Sequence, residues 1–144
     1  MNHNKSILFY IYLIAIVFWV VFMTWLSHQN GMQTYETSSG LAEKLMNLFH
    51  LDMDIEVLNN MLRKAAHIVV FAVLTILLLL TIRTGKLPLW IAAFPFIWSL
   101  IDELTKPFIQ GRHFAWYDVG LNEAGCLIGA AVAGLLWLFF GRLS

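Results

Sequence analysis

His67, Asp102 and Glu103 are the residues of this chain best suited to proton transfer or ligand binding, and they lie where ionisable groups are expensive. Asp102 and Glu103 end an apolar stretch, Pro88 to Ile101. A hydrocarbon core of about 30 Å takes about 20 helical residues at about 1.5 Å each. Asp102 is only 16 residues past Lys86, the last charge before the stretch. That is roughly 24 Å along a helix. The carboxylates are reached before the membrane ends, and ionisable groups at that depth read as a site by default.

The same arithmetic gathers partners. His67 lies 16 residues from Arg83, and Asn122 lies 20 from Arg142. Those spacings are roughly 24 and 30 Å from the same membrane face. Arg63 and Lys64 lie one turn outward from His67 on its helix face. The segment Lys106 to Asp118 adds Arg112, His113 and Asp118, with Pro107 and Gly111 implying a turn or a re-entrant piece. Irregular backbone at that depth is allowed when it is buried in protein or lines a wet cavity.

The chemistry open to this set is specific. His67 with Asp102 or Glu103 is a general base with its orienter, and these three are the catalytic candidates. Arg63, Lys64, Arg112, Asp118 and Asn122 are the ligand-binding candidates, with Arg112 able to hold a phosphate through two N–H groups. No metal site and no cofactor is expected. A set of His67, Asp102, Glu103 and Asp118 is chemically competent, but its spacing does not single out an ion. There is no Gly-x-Ser-x-Gly and no His-Glu-x-x-His.

Each residue also has a plainer use. His67 could bond a carbonyl or Asp102 inside the core. Asp102 and Glu103 point about 100° apart on a helix. One is therefore expected to pair with Arg112 or His67, and the other to cap or to face a cavity. Asp118 is expected to serve as an N-cap, and Asn122 could join helices through its amide. Lys64 and Lys106 can snorkel to water, and Lys106 is one cation in excess of the local acids.

The elements that position these groups follow from composition. Of 144 residues, 60% are hydrophobic and 12% charged, about half the charge of a soluble domain. The expected fold is all-α: a single polytopic domain over residues 1–144, a four-transmembrane-helix bundle. Spans are expected at about 6–26, 65–82, 88–101 and 119–140, the third short and containing Pro95. The first is read as an uncleaved anchor. Leu41, Leu45, Leu48 and Phe49 recur at helical spacing, which predicts an interfacial amphipathic helix between spans one and two, capped at Ser39. Asp52 or Asp54 caps the helix that becomes span two. Gly125, Gly129 and Ala133 form a small-residue stripe for close packing, within the bundle or in a homodimer. Zero net charge makes nucleic acid an unexpected partner. One cysteine, Cys126, excludes an internal disulfide.

Basic residues divide four against five: Lys5, Arg83, Lys86 and Arg142 at one side, Lys44, Arg63, Lys64, Lys106 and Arg112 at the other. If four of those five belong to the polar site, the remainder favours cytoplasmic termini. The site then faces outward.

Arg63-Lys64-Ala65-Ala66-His67, then Asp102-Glu103, Gly111-Arg112, Asp118 and Asn122 with Gly125 and Gly129, resemble the VanZ-like family, named for a teicoplanin-resistance protein. Ser27-His28-Gln29 is similar to a stretch that often follows the family's first span. Lys106 stands where that family usually shows a glutamine, and Val70 and Phe71 where an acidic residue and a tyrosine are common. The resemblance implies a helical protein of a bacterial cell membrane and, in some members, glycopeptide resistance. Three functional readings result. The first is a pocket for an anionic membrane lipid or lipid-linked cell-wall precursor. The second is an intramembrane hydrolase or transferase acting on such a lipid. The third is a structural bundle with a paired polar core.

Overall fold

A computed structural model describes residues 3–140, so Arg142 lies outside the described residues. It is all-helical, with five α-helices and, among the described residues, no strand. They are α1 (His3–Ser27), α2 (Gly31–Phe49), α3 (Ile55–Arg83), α4 (Phe94–Thr105) and α5 (Trp116–Phe140). Short 3₁₀ turns at Leu89–Ala93 and Lys106–Phe108 flank α4.

Among the described residues three helices are long and apolar enough to cross a membrane: α1, α3 and α5. The second of them starts at Ile55, directly after Asp54, one of the two expected caps, which accepts from the Glu56 N–H; the helix thus begins ten residues before the apolar span expected from 65. The expected third span differs more. Its first turn is 3₁₀ and its α-helix has 12 residues. Pro95 is the reason: it is tolerated only in the first turn of a helix, so α4 begins beside it.

The directions of the helices follow from their contacts. Lys64 lies over the Tyr117 ring and Arg83 over Trp137, so α3 and α5 run parallel. Lys86 lies over Phe9 and Tyr10, while Ser27 meets Asp102, so α1 and α4 run the opposite way. The turn after α3 needs Gly85, whose φ is +80°. The core is Ile16 and Met23 of α1, Phe71, Leu74 and Leu78 of α3, and Cys126 of α5. The Trp19 indole N–H donates to the Val70 carbonyl at 2.8 Å, tying α1 to α3.

Gly125 and Gly129 seat α5 directly on the backbone of α3. A Cβ at Gly125 would come within 3.0 Å of Ile68 Cα and nearer still to its carbonyl oxygen. The stripe is thus used for packing inside the chain, and a dimer through the same stripe would have to displace α3.

Helix α2 begins eight residues before the expected cap. Asn30 accepts from the Gln33 N–H at 2.8 Å, and the Gln33 side chain accepts from the Asn30 N–H at 3.2 Å, a reciprocal capping box. Ser39 lies inside the helix, donating back to the Glu36 carbonyl.

Candidate functional site

The polar groups meet where the end of α1, the middle of α3, the end of α4 and the start of α5 come together under α2. Helix α3 carries His67 to this level and Arg63 one turn outward. His67 Nδ1 donates to Asn122 Oδ1 of α5 at 2.8 Å. Its other ring nitrogen, Nε2, lies 3.6 Å from Asp118 Oδ2. Asn122 is fully buried, so its amide fixes the imidazole from inside the bundle.

The adjacent carboxylates of α4 part as the helical 100° requires. Glu103, fully buried, forms an ion pair with Lys106 one turn on. Its other oxygen accepts from the Ala115 N–H at 3.4 Å. Asp102 instead accepts from the Ser27 hydroxyl of α1 at 2.7 Å, and it lines a cavity. The expected partnership of one carboxylate with Arg112 or His67 is not found. Lys106 is the reason: three residues after Glu103, it reaches the carboxylate along the same helix face. Lys106 is therefore not snorkelling. It is 1% exposed, and its ammonium also lies 3.7 Å from Asp118 Oδ2.

Asp118 is not an N-cap either. It sits inside the first turn of α5, its N–H bonded to the Ala115 carbonyl, and its side chain turns to Lys106 and His67. His67, Glu103 and Asp118 each bring one donor atom within 4.8 Å of one another. A metal ion could be held by such a set. The Lys106 ammonium already pairs with two of the three, so the chain supplies positive charge there itself.

Arg112 reaches the site from the loop before α5. Gly111, with φ +75°, makes the turn. Gly31 then donates its N–H to the Gln110 carbonyl at 3.1 Å, docking the start of α2 on that turn. A Cβ at Gly31 would lie 2.6 Å from the Gly111 oxygen, so the close approach needs glycine. With loop and helix joined, Arg112 Nη1 donates to Thr34 Oγ1 at 2.7 Å. No carboxylate lies within 4.0 Å of its guanidinium among the described residues. Burial, then repulsion from Arg63, pushes the Arg112 pKa down from its ordinary value, while Glu103, Asp118 and Asp102 act the other way. It stays charged regardless.

Arg63, His67, Asp102 and Arg112 share the wall of one cavity of about 250 Å³. Met23, Leu26, Leu62, Val70 and Phe71 make its apolar side. Lys64 points elsewhere, exposed and lying 5.5 Å over the Tyr117 ring, and is not part of that wall. Ser27, Gln29 and Thr34 line the cavity and were not expected there as site residues.

The comparisons agree with this chain-long pattern. The profile of the VanZ/LLP1 family matches residues 9–139, nearly the whole sequence. The chain belongs to the VanZ/LLP1 family. No curated protein and no solved structure matches it. In this VanZ/LLP1 protein the residues of the family resemblance separate into two groups. His67, Asn122, Asp118 and Glu103 are bonded to one another or to Lys106, whereas Arg63, Arg112 and Asp102 face the cavity with few partners.

Proposed function

We propose that this protein binds an anionic lipid headgroup, or a lipid-linked cell-envelope precursor, in the cavity beneath α2. One observation carries the reading. Arg112 and Arg63 face a cavity with an apolar side, and the half-buried Arg112 guanidinium has a threonine hydroxyl and, among the described residues, no carboxylate within 4.0 Å as its partner. Two guanidinium groups that repel each other are relieved by an anion between them, and Arg offers a phosphate paired N–H groups. The leucines, methionine and phenylalanine of the other side suit an acyl chain.

The setting we infer is a bacterial cell membrane crossed four times. The 3₁₀ turn Leu89–Ala93 and α4 together rise roughly 28 Å, at about 2.0 and 1.5 Å per residue. That nearly equals a hydrocarbon core of about 30 Å. Leu48 and Phe49 of α2 are exposed, which suits a helix lying at the interface. With cytoplasmic termini the cavity opens to the outer leaflet. Glycopeptide resistance follows if the protein hides or alters a lipid-linked target there.

The test is lipid identification by mass spectrometry on protein purified in mild detergent. Arg112→Ala is expected to lower the co-purifying anionic lipid roughly tenfold, since bonds to charged groups are worth about 1.5–3 kcal/mol. Unchanged lipid content in a folded Arg112→Ala protein removes the binding reading.

A second reading is supported by His67, whose ring is oriented by Asn122 and faces the same cavity. In an intramembrane enzyme it acts as base on the bound lipid, with Asp118 beside Nε2. His67→Gln separates the two. An enzyme loses turnover of a purified lipid by at least about 100-fold while binding persists; a pure binder shows no turnover in either form. If neither lipid binding nor turnover responds to Arg112 or His67, the cluster serves helix packing alone.

A further inference from the structure

We infer that the headgroup taken by this cavity carries a primary ammonium as well as a phosphate. The inference rests on the phosphate-binding part of the lipid-binding reading above, takes the headgroup to be a zwitterion in place of a net anion, and adds a second anchor. Asp102 is 5% exposed and lines the cavity. Its Oδ2 accepts from Ser27, and its Oδ1 is buried with no partner. No Lys, Arg or His nitrogen lies within 4.0 Å of it among the described residues. Its neighbour Glu103 is provided with Lys106. A buried carboxylate without a counter-charge is costly, and buried polar atoms normally have partners. The chain thus neutralises one of two adjacent acids and leaves the other at a cavity wall.

The remaining wall has the opposite sign, through Arg112 and Arg63. A cavity with a carboxylate on one part and guanidinium groups on another is complementary to a zwitterion. Its volume of about 250 Å³ equals roughly eight water volumes. That suits a phosphoethanolamine-type group with the start of an acyl chain along the apolar side, the rest of the lipid remaining in the bilayer. The carboxylate torsion is soft, so an ammonium in the cavity can draw Asp102 round while Ser27 keeps one oxygen. The apolar side made by Leu26, Leu62 and Phe71 favours a lipid over a free zwitterion.

The test is native mass spectrometry with two added lipids, phosphatidylethanolamine and phosphatidylmethanol. Both carry the phosphodiester, and only the first carries an ammonium. Wild type is expected to prefer phosphatidylethanolamine by roughly tenfold. Asp102→Asn is expected to abolish the preference while phosphatidylmethanol still binds. Ser27→Ala is expected to keep the preference, because the carboxylate remains. Equal binding of the two lipids by wild type overturns the inference whether or not a variant folds. If Arg112→Ala still weakens both lipids in that case, the phosphate anchor and the lipid-binding reading stand, and only the ammonium anchor falls. If Arg112→Ala weakens neither, both readings fall. Glycerophosphoethanolamine that competes as well as the intact lipid overturns the choice of a lipid as the source.

Discussion

Replacing Lys106 with methionine is expected to destabilise the protein by about 3–5 kcal/mol, the range for breaking a buried ion pair on one side. The side chain volume barely changes, so packing is not the cause. What changes is Glu103. Its carboxylate is fully buried, and the Lys106 ammonium is its only ionic partner among the described residues. The remaining bond, from the Ala115 N–H at 3.4 Å, is too long to hold a charge in place. Asp118 loses its cation as well, and His67 Nε2 is left facing two uncompensated carboxylates.

The paired variant Lys106→Met with Glu103→Gln removes both charges. It is expected to recover most of the loss, since exchanging a whole buried pair for neutral groups is often tolerated. Thermal unfolding of the two variants in detergent decides. If the double variant is no better than Lys106→Met, charge imbalance is not what Lys106 corrects.

Level along the helices was legible in the sequence because it is one-dimensional. Counting from Arg83 and Lys86 placed His67 and Asp102 at one level, and the structure puts His67 and Asp102 on one cavity wall. Choice of partner at that level was not legible, because it depends on azimuth and on elements that arrive from elsewhere. Ser27 meets Asp102 only because α1 and α4 run the same way, and Thr34 meets Arg112 only because Gly31 docks on the Gly111 turn. Two signals were present and outweighed. Glu103 and Lys106 stand three apart, a spacing that brings side chains together on a helix. Asn30 and Gln33 have the spacing of a capping box, but Ser39 beside Gly40 offered a competing start to the helix. Asp118 read as a cap because acids favour helix starts; inside the first turn it gains the same electrostatic benefit and also meets Lys106.

Alanine at Gly125 and alanine at Gly134 are expected to change stability in opposite directions, although both sites lie on α5. Alanine normally improves a helix over glycine by about 0.5–1 kcal/mol, because the free chain loses less backbone entropy. Gly134 has open space where its Cβ would go, so it should show that gain. At Gly125 the Cβ would run into the Ile68 carbonyl oxygen, with Ile68 Cα at 3.0 Å. Those are backbone atoms of α3, which cannot swing aside as a side chain can. The helices must separate, and overpacking of that kind costs about 1–3 kcal/mol. The damage should also reach the site. His67 precedes Ile68 on α3, and Asn122 lies one turn before Gly125 on α5, so the strained contact sits beside their 2.8 Å bond. Gly125→Ala is therefore expected to lower both the melting temperature and lipid retention, whereas Gly134→Ala raises the first and leaves the second alone. Equal behaviour of the two variants would mean that the α3–α5 contact does not set the position of His67.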